Sequence, residues 1–85
     1  MKWIFPIIKT TRTIEQQLQK VEDEIEEYKT AKDETNRDEE AVDLLHSIET
    51  FLRLRFQGRE EQLNTLIESV ILKNKSRNYY ENECY

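Results

Sequence analysis

Four carboxylates are spaced for joint work. Glu24 and Glu27 lie three residues apart, and so do Glu40 and Asp43, with twelve residues between the two pairs. On helices, a spacing of three puts each pair on one side, within reach of a common point. Four gathered carboxylates repel one another strongly without a counter-ion. An all-oxygen donor set suits Mg²⁺ or Mn²⁺, and Mg²⁺ is commonly shared with substrate phosphates. The plainer reading is a solvated acidic face, since the run Glu22–Glu27 is acid-rich enough to contain one such pair by chance. Two pairs in order on consecutive helices are harder to explain that way.

Other side chains could serve or merely pack. His46 follows Asp43 by about one turn, as a partner of the acidic cluster, a substrate contact or a half-buried polar residue at a seam. Trp3, Phe5, Tyr79 and Tyr80 could stack on a nucleobase, although such aromatics more often fill a core or an interface. Glu49 and Arg53 have the spacing of a structural ion pair. Cys84 has no evident base beside it, so it is a poor nucleophile candidate. As the single cysteine it forms no internal disulfide and no Cys-based zinc site.

Helices must position these groups. Thr13 with Gln16 has capping-box spacing, and Ile14, Leu18, Val21, Ile25 and Tyr28 recur as one helical stripe. This predicts a first helix from about Thr13 that fades between Lys32 and Thr35. A second is predicted from about Asn36, with acids in its first turn and a wide apolar face of Ala41, Leu44, Leu45, Ile48, Phe51, Leu52 and Phe56. Gly58, the single glycine, sits where a helix C-cap belongs. A third helix is predicted over 59–75. The short polar turn makes the first two an antiparallel hairpin, so both acidic pairs meet near the turn. The domain reading is a lead-in over 1–12, a helical domain over 13–77 and a tail over 78–85.

Composition bounds the rest. The chain has 85 residues, 36% hydrophobic and 36% charged, with a net charge of −5. That is one all-α domain with a thin core, for which pairing of hairpins into a four-helix-bundle homo-oligomer, dimer or tetramer, supplies the missing burial. The acidic balance argues against a duplex nucleic-acid partner. The apolar start is too short to span a membrane and lacks a signal-peptide pattern, so no membrane partner is expected and a reducing cytosol is the expected compartment. Most acids fall between residues 15 and 49, whereas 72–77 is basic. That polarity would suit a metal-bound phosphate ligand.

The order Glu24-x-x-Glu27 then Glu40-x-x-Asp43 resembles the E-x-x-E…E-x-x-D signature of the all-α nucleotide pyrophosphohydrolases. In particular it is similar to the short MazG-like proteins of phages and Gram-positive bacteria. Residues 21–28 resemble the first motif helix and 40–50 the second. Residues 73–80 resemble a C-terminal K-N-x-x-R-G-Y-Y element, with Asn78 in place of the usual glycine. The resemblance covers roughly 14–80 and leaves the first twelve residues unmatched.

It implies a Mg²⁺-dependent enzyme, Mn²⁺ substituting, that cleaves a nucleoside triphosphate to a monophosphate and pyrophosphate, in the host cytoplasm if phage-encoded. Glu24, Glu27, Glu40 and Asp43 would hold the metal, with Glu27 the candidate to orient or deprotonate the attacking water. Lys73, Asn74 and Arg77, with Lys75 behind them, would contact the phosphates. Base selectivity would fall to the N-terminal segment. The alternatives are a non-enzymatic helical interaction module and a nucleotide sensor without turnover.

Overall fold

The computed structural model describes residues 2–81. Its helices are α1 (Ile14–Lys29), α2 (Glu34–Arg55) and α3 (Glu60–Ser76), with no strand among the described residues. The all-α reading therefore holds. No helix is long and apolar enough to cross a membrane among these residues. Cys84, with the rest of 82–85, lies outside them.

Local chemistry sets the boundaries. Thr13 caps α1 in a reciprocal box: its hydroxyl accepts from the Gln16 backbone N–H at 3.1 Å, and the Gln16 side chain accepts from the Thr13 N–H at 2.9 Å. The helix stops at Lys29, earlier than the sequence suggests, and the Thr30 hydroxyl donates to the Glu26 carbonyl at 2.9 Å. Asp33 then claims the N-cap of α2, its side chain accepting from Asn36 N–H at 2.8 Å. The second helix thus begins before Asn36, because a carboxylate cap satisfies an orphan donor that Asn36 itself cannot. Beyond Phe56, which ends α2, Gly58 takes φ +75° and turns the chain into α3. Asn78, φ 59°, does the same service after α3.

The hairpin seam is unusually polar. Gln17, Glu24, Ser47, Glu49 and Thr50 are buried, and Leu63 is the one buried apolar side chain among the described residues. Ile14, Leu18, Ile25 and Tyr28 of α1, with Leu45 and Ile48 of α2, lie beside the seam and stay more than a third exposed. Helices α1 and α2 pack on each other, whereas α3 packs against neither. The Cα radius of gyration is 15.1 Å, against about 12 Å for a compact chain of this length. The chain is drawn out and leaves its apolar stripes uncovered.

The N-terminal segment is fastened to α2 by a clamp. Glu49, 2% exposed, accepts from the backbone N–H of Ile4 at 2.8 Å and of Phe5 at 2.9 Å. Arg53 donates to the Phe5 carbonyl at 2.7 Å, and its guanidinium lies 4.6 Å over the Trp3 ring. The expected Glu49–Arg53 ion pair does not form among the described residues. Both side chains turn instead to the irregular segment, whose backbone groups need partners once part-buried.

Candidate metal centre

Helix α1 delivers Glu24, and the N-terminal half of α2 delivers Glu40 and Asp43. One oxygen from each lies within 4.8 Å of the others. Glu24 is 5% exposed, Glu40 is half-buried and Asp43 is exposed. One oxygen of Glu24 and one of Glu40, Oε2 in both, are buried without a hydrogen-bond partner. Such atoms are costly, because a charged acceptor taken from water must be repaid. At ~5 Å and an effective dielectric of ~20, two full negative charges repel by roughly 3 kcal/mol. A hard divalent cation removes both costs, and the oxygen-only donor set fits Mg²⁺ or Mn²⁺.

Part of the charge is already met. Lys20, one turn before Glu24, places its Nζ 2.8 Å from Glu24 Oε1. That hydrogen bond holds Glu24 below the usual carboxylate range against the opposing effect of burial, and raises Lys20 in turn. Glu27 is exposed and stands outside the three-carboxylate group. It feels Glu24 nonetheless: a shared hydrogen bond and then Glu24's charge push Glu27 above the usual range. A carboxylate raised in this way is a better proton acceptor near neutrality.

His46 lies on the same face as Asp43, half-buried. Its ring stacks on Phe5, centroids 4.5 Å apart, and its Nε2 is buried without a partner. A cavity of about 130 Å³ joins these groups, lined by Ile8, Arg12, Gln17, Lys20, Glu24, Asp43, His46, Ser47 and Thr50. It has room for several waters. A larger cavity of about 540 Å³ runs between the N-terminal segment and the end of α2; it meets the first at Ile8 and Thr50 and has Trp3 and Phe56 in its wall. None of the four carboxylates lines it, so size does not mark the chemistry here.

The other sequence candidates fall elsewhere. Lys73 and Arg77 are exposed at the end of α3, and Asn74 donates to the Tyr80 hydroxyl at 3.3 Å. None of the three lines either cavity. Tyr79 is exposed. Trp3 is covered by Arg53 as above.

Three residues of the site were not singled out in the sequence. Gln17 is fully buried, donates to the Ser47 carbonyl at 3.0 Å and accepts from Arg12 Nη1 at 2.9 Å. Arg12, Gln17 and Lys20 look like ordinary polar residues in sequence. The signal available was the four-residue step from Lys20 to Glu24, on the same face as the cluster. Compared with family models, with curated proteins and with solved structures, the chain matches none.

Proposed function

We propose that this chain is a divalent-cation-dependent nucleoside triphosphate pyrophosphohydrolase of MazG-like type, acting as a homo-oligomer. The observation that carries the reading is the meeting of Glu24, Glu40 and Asp43, with buried oxygens of Glu24 and Glu40 left unpartnered. A plain solvated acidic face would not bury Glu24 or orphan those oxygens.

A bound Mg²⁺ supplies charge neutralisation for the phosphates and acidifies water. The chain's own residues do the rest. Glu24, Glu40 and Asp43 fix the α-phosphate end of the substrate by holding the cation. Glu27 takes the proton of the attacking water as the water's oxygen bonds to the α-phosphorus. The bond from that phosphorus to the bridging oxygen breaks, and the electron pair leaves with pyrophosphate. His46 lines the same cavity, where it can contact the nucleotide. Lys73, Asn74 and Arg77 could reach a substrate only in an assembly that brings α3 of one copy to the hairpin of another.

The uncovered stripes support that assembly. Ile14, Leu18, Ile25, Leu45 and Ile48 face outward at helical spacing, and two hairpins packed by those stripes make a four-helix bundle. The same stripes also favour the second reading, a metal-free interaction module that seats another protein. The orphaned carboxylate oxygens weigh against it, since such a module has no use for them.

The test is product analysis over a nucleotide panel with Mg²⁺ in ¹⁸O-labelled water. The proposed reaction releases pyrophosphate and puts the label in the nucleoside monophosphate. Orthophosphate as first product, or label in pyrophosphate, contradicts the stated bond cleavage. Nucleotide binding without turnover would make the chain a sensor.

A further inference from the structure

We propose that Arg12 and Lys20 form the seat for the pyrophosphate end of the substrate, beside the carboxylate cluster and within one chain. The inference rests on the metal-dependent reading above and adds to it where the leaving group is held.

The cavity beside the cluster has two kinds of wall. Glu24 and Asp43 supply negative charge, and Arg12 and Lys20 supply positive charge. Mutual neutralisation would be the simplest use of such neighbours, yet only one such pair is made. Lys20 binds Glu24, while Arg12 forms no ion pair among the described residues and spends its Nη1 on the neutral oxygen of Gln17.

Gln17 explains the arrangement. It is 0% exposed, and its amide nitrogen is committed to the Ser47 carbonyl. That fixes its Oε1 toward Arg12 and so fixes the guanidinium. Gln17 is thus buried with both ends of its amide satisfied, and the arginine it holds is exposed and unneutralised at the cavity wall, open to an arriving anion. Binding Gln17 through one nitrogen leaves the other donors of the fork for phosphate oxygens.

Lys20 completes the seat by exchange. In the metal-free chain its ammonium serves as counter-ion to Glu24 at 2.8 Å. A divalent cation held by Glu24 repels that ammonium, and the nearest use for it is a phosphate oxygen on the same cation. Arg12 and Lys20 line the same cavity, so an anion placed there meets two cations from one wall. A phosphoanhydride chelate, negative and many-oxygened, is the ligand class that meets all of these demands.

The experiment titrates preformed Mn²⁺–pyrophosphate, and separately Mn²⁺ alone, into the full chain by calorimetry. Arg12→Gln should weaken the pyrophosphate complex by about tenfold or more and leave Mn²⁺ alone within about twofold. Lys20→Met should weaken the pyrophosphate complex too, but tighten Mn²⁺ alone severalfold because an internal competitor is gone. That opposite sign is not expected of a merely structural lysine. Uptake of Mn²⁺ with pyrophosphate affinity indifferent to both substitutions overturns this inference alone. So does loss of Mn²⁺ binding in Arg12→Gln, which would make the arginine structural. Wild-type protein that takes up no Mn²⁺ overturns the metal reading and this inference together.

Discussion

The Phe5 ring lies stacked on the His46 imidazole, the planes 17° apart and the centroids 4.5 Å. This contact joins the irregular N-terminal segment to the face of α2 that carries Asp43. It is held from behind by Glu49, whose two oxygens accept from the successive N–H groups of Ile4 and Phe5. Glu49→Ala therefore leaves two part-buried N–H groups without an acceptor. It should cost about 2–4 kcal/mol of stability in denaturant unfolding, and reduce activity by freeing His46. Stability within about 0.5 kcal/mol of wild type would show that the clamp is ornamental.

Glu27→Gln should lower kcat by about 10²–10⁴-fold, the range for loss of a general base, while Mn²⁺ binding persists. The rate should rise with pH as Glu27 loses its proton. Glu24 raises Glu27 in the metal-free chain, and a cation held by Glu24 opposes that rise, so with metal bound the acid limb should move back toward the ordinary carboxylate range. A pH–rate profile with no acid limb, or full activity in the variant, assigns the water to another group.

The Lys20–Glu24 pair makes metal-free stability depend on pH at both ends. Glu24 is lowered in the folded chain, so its contribution is present above its unfolded value, about 4.3, and is lost as pH falls through the folded one. Lys20 is raised, so its contribution is present below its unfolded value, about 10.4, and fades as pH rises through the folded one. Lys20→Met should flatten the acid edge in chemical-denaturation midpoints measured from pH 3 to 7. Acid profiles that superimpose would mean the pair adds nothing to folding.

Leu18→Lys with Leu45→Lys places charge on the uncovered stripes and should break the assembly, lowering the mass seen by light scattering and the helix content together. Helix content should fall because Leu63 is the one apolar side chain buried within a single copy among the described residues. Wild-type protein that stays monomeric and folded at micromolar concentration would refute the homo-oligomer.

Much of the fold was legible because its cues are local. Thr13 with Gln16, Gly58, and the periodic apolar residues of α1 and α2 gave the helices their number, order and approximate ends. The start of α2 was misplaced by a local competition: Asp33 and Asn36 both have cap chemistry, and the carboxylate won. The core is set less locally. Periodicity marks Ile14, Leu18 and Ile25 as a face to be buried, but it does not say by what, and the hairpin seam is closed instead by Gln17, Glu24, Ser47 and Thr50. The acidic spacing foretold that α1 and α2 would converge on Glu24, Glu40 and Asp43. It did not foretell that Glu27 would stand outside them, since a step of three on a helix allows convergence without compelling it. Gln17 carries no mark in the sequence because its burial depends on Ser47 across the hairpin, and the local contact of Arg12 to Gln17 follows from that burial.

Uptake of Mn²⁺ by the carboxylate cluster is read as loss of the free-ion signal in electron paramagnetic resonance. Wild-type protein should bind the ion, and Glu24→Gln, Glu40→Gln and Asp43→Asn should each weaken binding by about tenfold or more, as removal of a charged ligand does. A free-ion signal that the wild-type chain leaves undiminished, at millimolar protein, would contradict the reading of these three carboxylates as a cation site.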